Sequence, residues 1–270
     1  MPKLSIITVC RNEEAGIAKT AESIVTQTWQ DFEWIVIDGA STDGTLDKLK
    51  PYAGRIERLV SEPDSGIYNA MNKGIRLAQG EYLIFMNGGD AFHHPEVLEE
   101  VFAQNPDGDV LYGDATVFER GKERRRKAPP TISSPLYFVY GTISHQATFI
   151  RRELFLKYGE YDETLTLSSD HKHWIIFALN GCRFQYTGVI TAMFDMNGLS
   201  RRRMDITRQE AVHVIEEYFH PGDLAQLPRE TFVIWWRLFG RLPLLKIKSC
   251  GGKIRYLLFG ALPLLTKAHR

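Results

Sequence analysis

ValIleAspGlyAlaSerThrAspGlyThr, Val36 to Thr45, decides the fold. The apolar run Ile35–Ile37 behind Trp34 drives straight into Asp38, and a turn of small residues with a second carboxylate, Asp43, follows. A buried strand ending on an acid is how an α/β sheet presents carboxylates at the carboxyl edge of its strands. Ligands of open parallel sheets bind in the crevice at that edge. Upstream, LeuSerIleIleThrValCysArgAsnGlu (Leu4–Glu13) has the same form, an apolar β-branched strand running into a polar turn.

Working outward, strands are expected at Leu4–Val9, Trp34–Asp38, Ile56–Ser61, Tyr82–Met86 and Val110–Tyr112, with late strands at Arg183–Thr187 and Val189–Asp195. Helices are expected at Asn12–Gln27, where Asn12 could cap and Glu13 and Glu14 suit the positive end, and at Thr42–Leu49, Tyr68–Gln79 and Pro95–Gln104. Further helices are read at Phe149–Tyr158, Asp170–Asn180 and Thr207–Phe219, a polar hairpin or loop at Glu119–Lys127, and a loop at Asn197–Met204. Strands alternating with helices imply a mostly parallel, twisted sheet with right-handed crossovers.

The 270 residues suffice for a large core, and 44% apolar with 24% charged residues is ordinary for a globular protein. Net charge is zero but uneven: residues 229–270 hold nine Lys/Arg and one Glu. A basic end on an acidic body suggests an anionic surface partner, and no nucleic acid partner is expected. The three cysteines, Cys10, Cys182 and Cys250, are too far apart for a disulfide framework or zinc site, which fits a reducing cytosol. No secretory leader and no run of the ~20 apolar residues needed to span a bilayer is read. Thr231–Ile247 interleaves Trp235, Trp236, Leu238 and Phe239 with Arg237, Arg241 and Lys246, the composition of a helix lying in a membrane interface; a helix packed on the body is the plainer alternative. The expected domains are 1–220, with halves 1–115 and 116–220, and a basic amphipathic region 221–270.

Four segments should end at one sheet edge and supply Glu13, Asp38, Asp43, Asp64, Asn87 and Asp90. Clustered carboxylates repel unless a cation or a hydrogen-bonding ligand sits among them. Mg²⁺ is commonly held by one or two carboxylates plus substrate phosphates.

ThrValCysArgAsnGlu, AspGlyAlaSerThrAspGlyThr, GluProAspSerGlyIleTyrAsnAlaMetAsnLysGlyIle and PheMetAsnGlyGlyAsp together resemble the family 2 glycosyltransferases of the GT-A fold, over roughly residues 3–200. The resemblance implies a nucleoside diphosphate sugar over the sheet edge, a divalent metal (Mn²⁺ or Mg²⁺) on its phosphates, and inverting attack by an acceptor hydroxyl. Thr8, Cys10, Asn12 and Glu13 would line the donor. Asp38 would meet the base or ribose, with Asp43 supporting its loop; a second Asp is usual after Asp38, and here Gly39 stands there. The metal motif, commonly Asp-any-Asp, reads AsnGlyGlyAsp, so Asn87 and Gly89 replace expected acids and Asp90 alone keeps a charge. Asp64, Tyr68, Asn69 and Asn72 would face the sugar and phosphates, with Asn69 and Asn72 on one helix face.

The resemblance places a catalytic base at Asp170, in SerSerAspHisLysHisTrp; helix capping is its structural alternative. His145, followed by Gln146, resembles a subgroup that builds bacterial surface polysaccharides, and is read either as a contact to diphosphate, metal or acceptor or as a hydrogen-bonded core histidine. Arg201, in an ArgArgArg loop, could close on a diphosphate or lie exposed. The GlnXXArgTrp element of processive synthases is absent, which favours adding a single sugar. The expected acceptor is a glycan or lipid-linked oligosaccharide at the inner face of the cytoplasmic membrane. Two other readings stay open. A nucleotidyltransferase lacks its usual Gly-rich phosphate loop here, and a non-catalytic sugar- or partner-binding domain would not need the retained acids.

Overall fold

The computed structural model describes residues 1–119, 121–196, 203–220 and 223, and beyond them the backbone of four strands. The chain divides into two compact units, Met1–Ser133 with Ile143–Val214, and Ser134–Thr142 with Ile215–Arg270.

The first unit is built on one mixed sheet. Strands β1 (Leu4–Cys10), β2 (Phe32–Asp38), β3 (Arg58–Ser61) and β4 (Tyr82–Phe85) run parallel in the order β3-β2-β1-β4. Beyond them the sheet takes up β5 (Ala91–Phe92), β6 (Val110–Glu119), β7 (Lys122–Arg126), β8 (Thr148–Arg151) and β9 (Phe184–Asp195), continuing from β4 as β8-β6-β9-β5, with β7 paired to β6. Side chains alternate across the sheet with period two. Leu4, Ile6, Trp34, Val36, Tyr82 and Ile84 pack on one face with Ile17, Ala21 and Ile24 of α1 (Ile17–Val25), above α2 (Thr45–Leu49). The other face meets α3 (Ile67–Leu77). A further helix, α4 (Val97–Phe102), joins the first cluster through Val97, Leu98 and Val101.

In the first unit α6 (Arg152–Tyr158) and α7 (Ser169–Leu179) follow, then the start of α8 (Met204–Tyr218); the second unit contains α5 (Tyr137–Tyr140). Among the described residues no helix is long and apolar enough to cross a membrane.

The structure corrects several boundaries. The first helix starts at Ile17, not Asn12, because Asn12 has left-handed φ (51°) and the amides of Gly16 and Ile17 close a turn on the Glu13 carbonyl. The expected helix Phe149–Tyr158 opens as strand β8, antiparallel to both β4 and β6, where β-branched residues suit the sheet. Val110–Tyr112 continues through Gly113 to Glu119, and the two late strands are one strand, β9, through Gly188 (φ 73°). The β6–β9 register shifts beside Gly113, as at a β-bulge. Past the second unit's helix the backbone forms an antiparallel sheet of β10 (Val233–Leu238), β11 (Leu242–Cys250), β12 (Lys253–Leu258) and β13 (Leu262–Ala268), where a helix over Thr231–Ile247 is expected. A helix there would have to run through Gly240 and Pro243.

Candidate active site

The carboxyl ends of β1 and β2 form one wall. Asp38 is fully buried. Its Oδ2 accepts from the Ser41 amide (3.0 Å) and the Ser61 hydroxyl (2.6 Å), and its Oδ1 accepts from the Ser41 hydroxyl and the Cys10 thiol. Burial, then the Asp38 charge, pushes the Cys10 thiol up to about 12, so the sulfur stays protonated. Asp38 and Cys10 thus organise the floor of the crevice. Thr8 lies within β1 and accepts from the Trp34 indole at 3.0 Å, so it stands behind the edge rather than at it.

Asn12 ties the two edge loops together: its Oδ1 accepts from the Thr42 amide (2.8 Å) and its own amide donates to the Ser41 hydroxyl (2.8 Å). Asp43 accepts from the Thr45 amide (3.0 Å) and hydroxyl and from the Glu14 amide (3.1 Å), and the Thr45 hydroxyl holds its carboxyl below the ordinary range.

The turn after β4 forms the next wall. Thr20 of α1 pins it, accepting from the Gly89 amide (2.9 Å) and donating to the Asp90 carbonyl (2.6 Å). The side chain of Glu13 lies over the turn: a Cβ on Gly88 would come within 2.8 Å of Glu13 Cγ, and one on Gly89 within 3.2 Å of Glu13 Oε1. The glycines therefore make room for Glu13, whose acid stands beside Asp90. Burial pushes the Asp90 carboxyl up to about 7; a Gln146 hydrogen bond and Lys19 pull it down, and Glu13 pushes it up. Asn87 Oδ1 is buried with no hydrogen-bond partner.

Among the described residues no three His, Cys, Asp or Glu side chains converge as a metal cage. An orphaned amide oxygen and two neighbouring carboxylates nonetheless suit a hard cation that draws further oxygens from a substrate's phosphates.

Asp170 stands in the first turn of α7, where the helix dipole favours its charge. The Tyr68 hydroxyl of α3 donates to Asp170 Oδ1 at 3.0 Å. Burial, and then Asp170, hold the Tyr68 pKa well above its ordinary value, so it remains a donor. The Tyr68 ring lies 5.3 Å from that of buried Tyr161, whose hydroxyl meets His145 Nε2 at 3.0 Å. His145 stacks on Phe85 (5.0 Å), and burial holds its pKa below the ordinary imidazole range. His145 is therefore a neutral core histidine bonded to Tyr161. Its neighbour Gln146 reaches Asp90, so the turn His145–Ala147 links the Asp90 wall to the Asp170 wall.

Asn69 and Asn72 do share a helix face, but that face is occupied. The Asn72 amide exchanges hydrogen bonds with the backbone of Tyr161 (2.9 Å each way), and both asparagines donate to Glu163. These bonds give both asparagines a packing role. Asp64 sits at the mouth of the crevice over Gly39, and Arg201 lies outside the described residues. Sequence reasoning noted Gln146 only beside His145 and missed Thr20, Ser61, Tyr161 and Glu163. Nothing in their local sequence marks them, because each acts through a partner distant in the chain.

The family profile described as Glycosyl transferase family 2 matches residues 5–165. A PGL/p-HBAD biosynthesis glycosyltransferase of Mycobacterium bovis is 33% identical over 212 residues, spanning 76% of this chain and 81% of the relative. Among solved structures, S. aureus TarS 1–349 in complex with UDP-GlcNAc aligns with TM-score 0.65 at 19% identity, over 84% of this chain and 68% of that one. The mannosyltransferase PcManGT of Pyrobaculum calidifontis, in complex with GDP-Man and Mn²⁺, aligns with TM-score 0.60 at 19% identity, over 83% and 67%.

Proposed function

Since the chain belongs to glycosyl transferase family 2 and has the GT-A architecture, we propose that this glycosyltransferase moves a single sugar, with inversion, from a nucleoside diphosphate sugar to a hydroxyl of a glycan or lipid-linked acceptor. The observation that carries this reading is the Tyr68–Asp170 hydrogen bond. It joins the segment after β3, on the donor side, to a carboxylate at a helix start, so that donor and base are held in one frame. The nucleotide sugars bound by the structural neighbours support the donor class.

The step balances simply. Asp170 takes the acceptor's hydroxyl proton as its oxygen forms a bond to the anomeric carbon. The bond from that carbon to the diphosphate breaks, and the nucleoside diphosphate leaves with the electron pair. A hydroxyl needs such a base to be an effective nucleophile, and a carboxylate opposite the leaving group also suits a sugar that gains oxocarbenium character. Tyr68 orients Asp170 without competing for the proton. Asp90 and Asn87, with Glu13 beside them, would hold a divalent cation, whose contribution when bound is charge neutralisation on the leaving diphosphate. We place the work at the inner face of the cytoplasmic membrane, a reading supported by the basic charge of residues 229–270.

The decisive experiment is Asp170→Asn. Transfer should fall at least about 10³-fold, the upper range for removing a general base, while calorimetric binding of the donor nucleotide stays within about twofold. Full activity in that variant removes Asp170 from the mechanism.

A further inference from the structure

Gly39 occupies the position after Asp38, and the space a side chain would fill there is already taken. A Cβ on Gly39 would overlap Asp64 Oδ2 and lie 3.2 Å from Asp64 Cγ and 3.3 Å from Arg11 Cδ. The glycine does not serve the turn, since the left-handed residue of this loop is its neighbour Ala40 (φ 55°). Its missing side chain is what matters. Asp64 reaches this point from the loop between β3 and α3, its Oδ1 held by the Gly66 amide at 3.2 Å.

Asp38 cannot serve as the acid that meets a ligand here. It is fully buried, with both oxygens engaged by Ser41, Ser61 and Cys10. Asp64, by contrast, is partly exposed at the mouth of the same crevice. Among the described residues no donor reaches its Oδ2, and no carboxylate pairs with exposed Arg11 beside it. A carboxylate accepts only, through two oxygens, and so complements two adjacent hydroxyl donors. A carboxylate at a strand's carboxyl edge commonly reads a ribose hydroxyl in this way.

We infer that Asp64 recognises the vicinal 2′,3′-hydroxyls of the donor's ribose, and that residue 39 is glycine so that Asp64 can reach them. The recognising acid comes from the β3–α3 loop, while Asp38 stays beneath as a buried organiser. The inference rests on the donor reading above, and the test separates the two.

Full-length protein is titrated calorimetrically, with Mn²⁺ present, with UDP and GDP and with their 2′,3′-dideoxy counterparts. Wild type should bind at least one diol form about 10- to 100-fold more tightly than its dideoxy form, the range for hydrogen bonds to a charged group. Asp64→Ala should bring that ratio close to one, with the dideoxy affinity little changed. Gly39→Ala should do the same by displacing Asp64, and the exchange Gly39→Asp with Asp64→Gly should recover much of the ratio. Recovery is the readout that a merely structural role for Asp64 would not give. Should Gly39→Ala fail to fold, Asp64→Ala decides alone. Binding with no diol preference, or a preference that survives Asp64→Ala, overturns the inference and leaves the donor reading intact. A wild type that binds neither UDP nor GDP overturns both.

Discussion

Asp38 and Asp90 are legible because each stands at or just past the end of an apolar strand, Asp170 is placed by the family resemblance, and the neighbours of all three are not legible. Asp38 and Asp90 stand where a strand meets a turn, positions the pattern of apolar and small residues marks, and Asp170 stands in the first turn of α7. Whether an acid faces ligand or protein depends on side chains far along the chain, such as Ser61 against Asp38 or Gln146 against Asp90. Asn72 makes the point most sharply. Helical spacing correctly puts it on a face with Asn69, but that face packs on Tyr161 and Glu163. Asn72→Ala would leave buried backbone groups of Tyr161 without partners, which costs roughly 2–3 kcal/mol. Urea unfolding should register a loss of that size, and a variant as stable as wild type would contradict the packing role. Ala40 gives a prediction of opposite sign. It holds left-handed φ without needing a side chain there, so Ala40→Gly should raise stability by about 0.5–1 kcal/mol on the same measurement.

At the scale of elements, the parallel strands and the helices between them follow from apolar patterning, since β1, β2 and β4 are buried on both faces and only the edge strand β3 is largely exposed. The reading fails where the sheet changes direction. Nothing in ThrPheIleArg says that Thr148–Arg151 will slot antiparallel between β4 and β6. Gly113 and Gly188 look like strand ends and are in fact points where long strands bend. The turn that carries His145 is equally tertiary in origin, and it sets an acid limit on the fold. Burial holds both His145 and His173 below the ordinary imidazole range. Each ring therefore binds fewer protons folded than unfolded once pH drops below about 6.5. Stability should be flat with respect to these groups above that pH and should fall as pH drops towards 5. His145→Gln should make the fall in melting temperature over that window shallower; an unchanged slope would mean that His145 does not carry it.

At the scale of the whole molecule, the decisive feature is charge. Zero net charge conceals a tail of nine Lys/Arg with one Glu set against an acidic remainder. Such an asymmetry has no use in a packed core, where charges must be paired or solvated, but it suits an anionic lipid surface. There each basic residue near the headgroups contributes about 1 kcal/mol, screened within a Debye length. The charge argument does not depend on whether the tail is helical or, as its backbone runs, a set of antiparallel strands. A lipid-linked acceptor presented at a bilayer would make such docking useful, because the enzyme would then search in two dimensions. Removing residues 229–270 should therefore abolish co-sedimentation with vesicles containing anionic phospholipid. The full chain should bind them at low salt and release progressively as salt rises, while ignoring vesicles of neutral lipid. Transfer to a short water-soluble acceptor should survive the truncation, since Asp90 and Asp170 lie in the other unit. Equal sedimentation of both forms would show that the basic tail is not the anchor, whatever the acceptor proves to be.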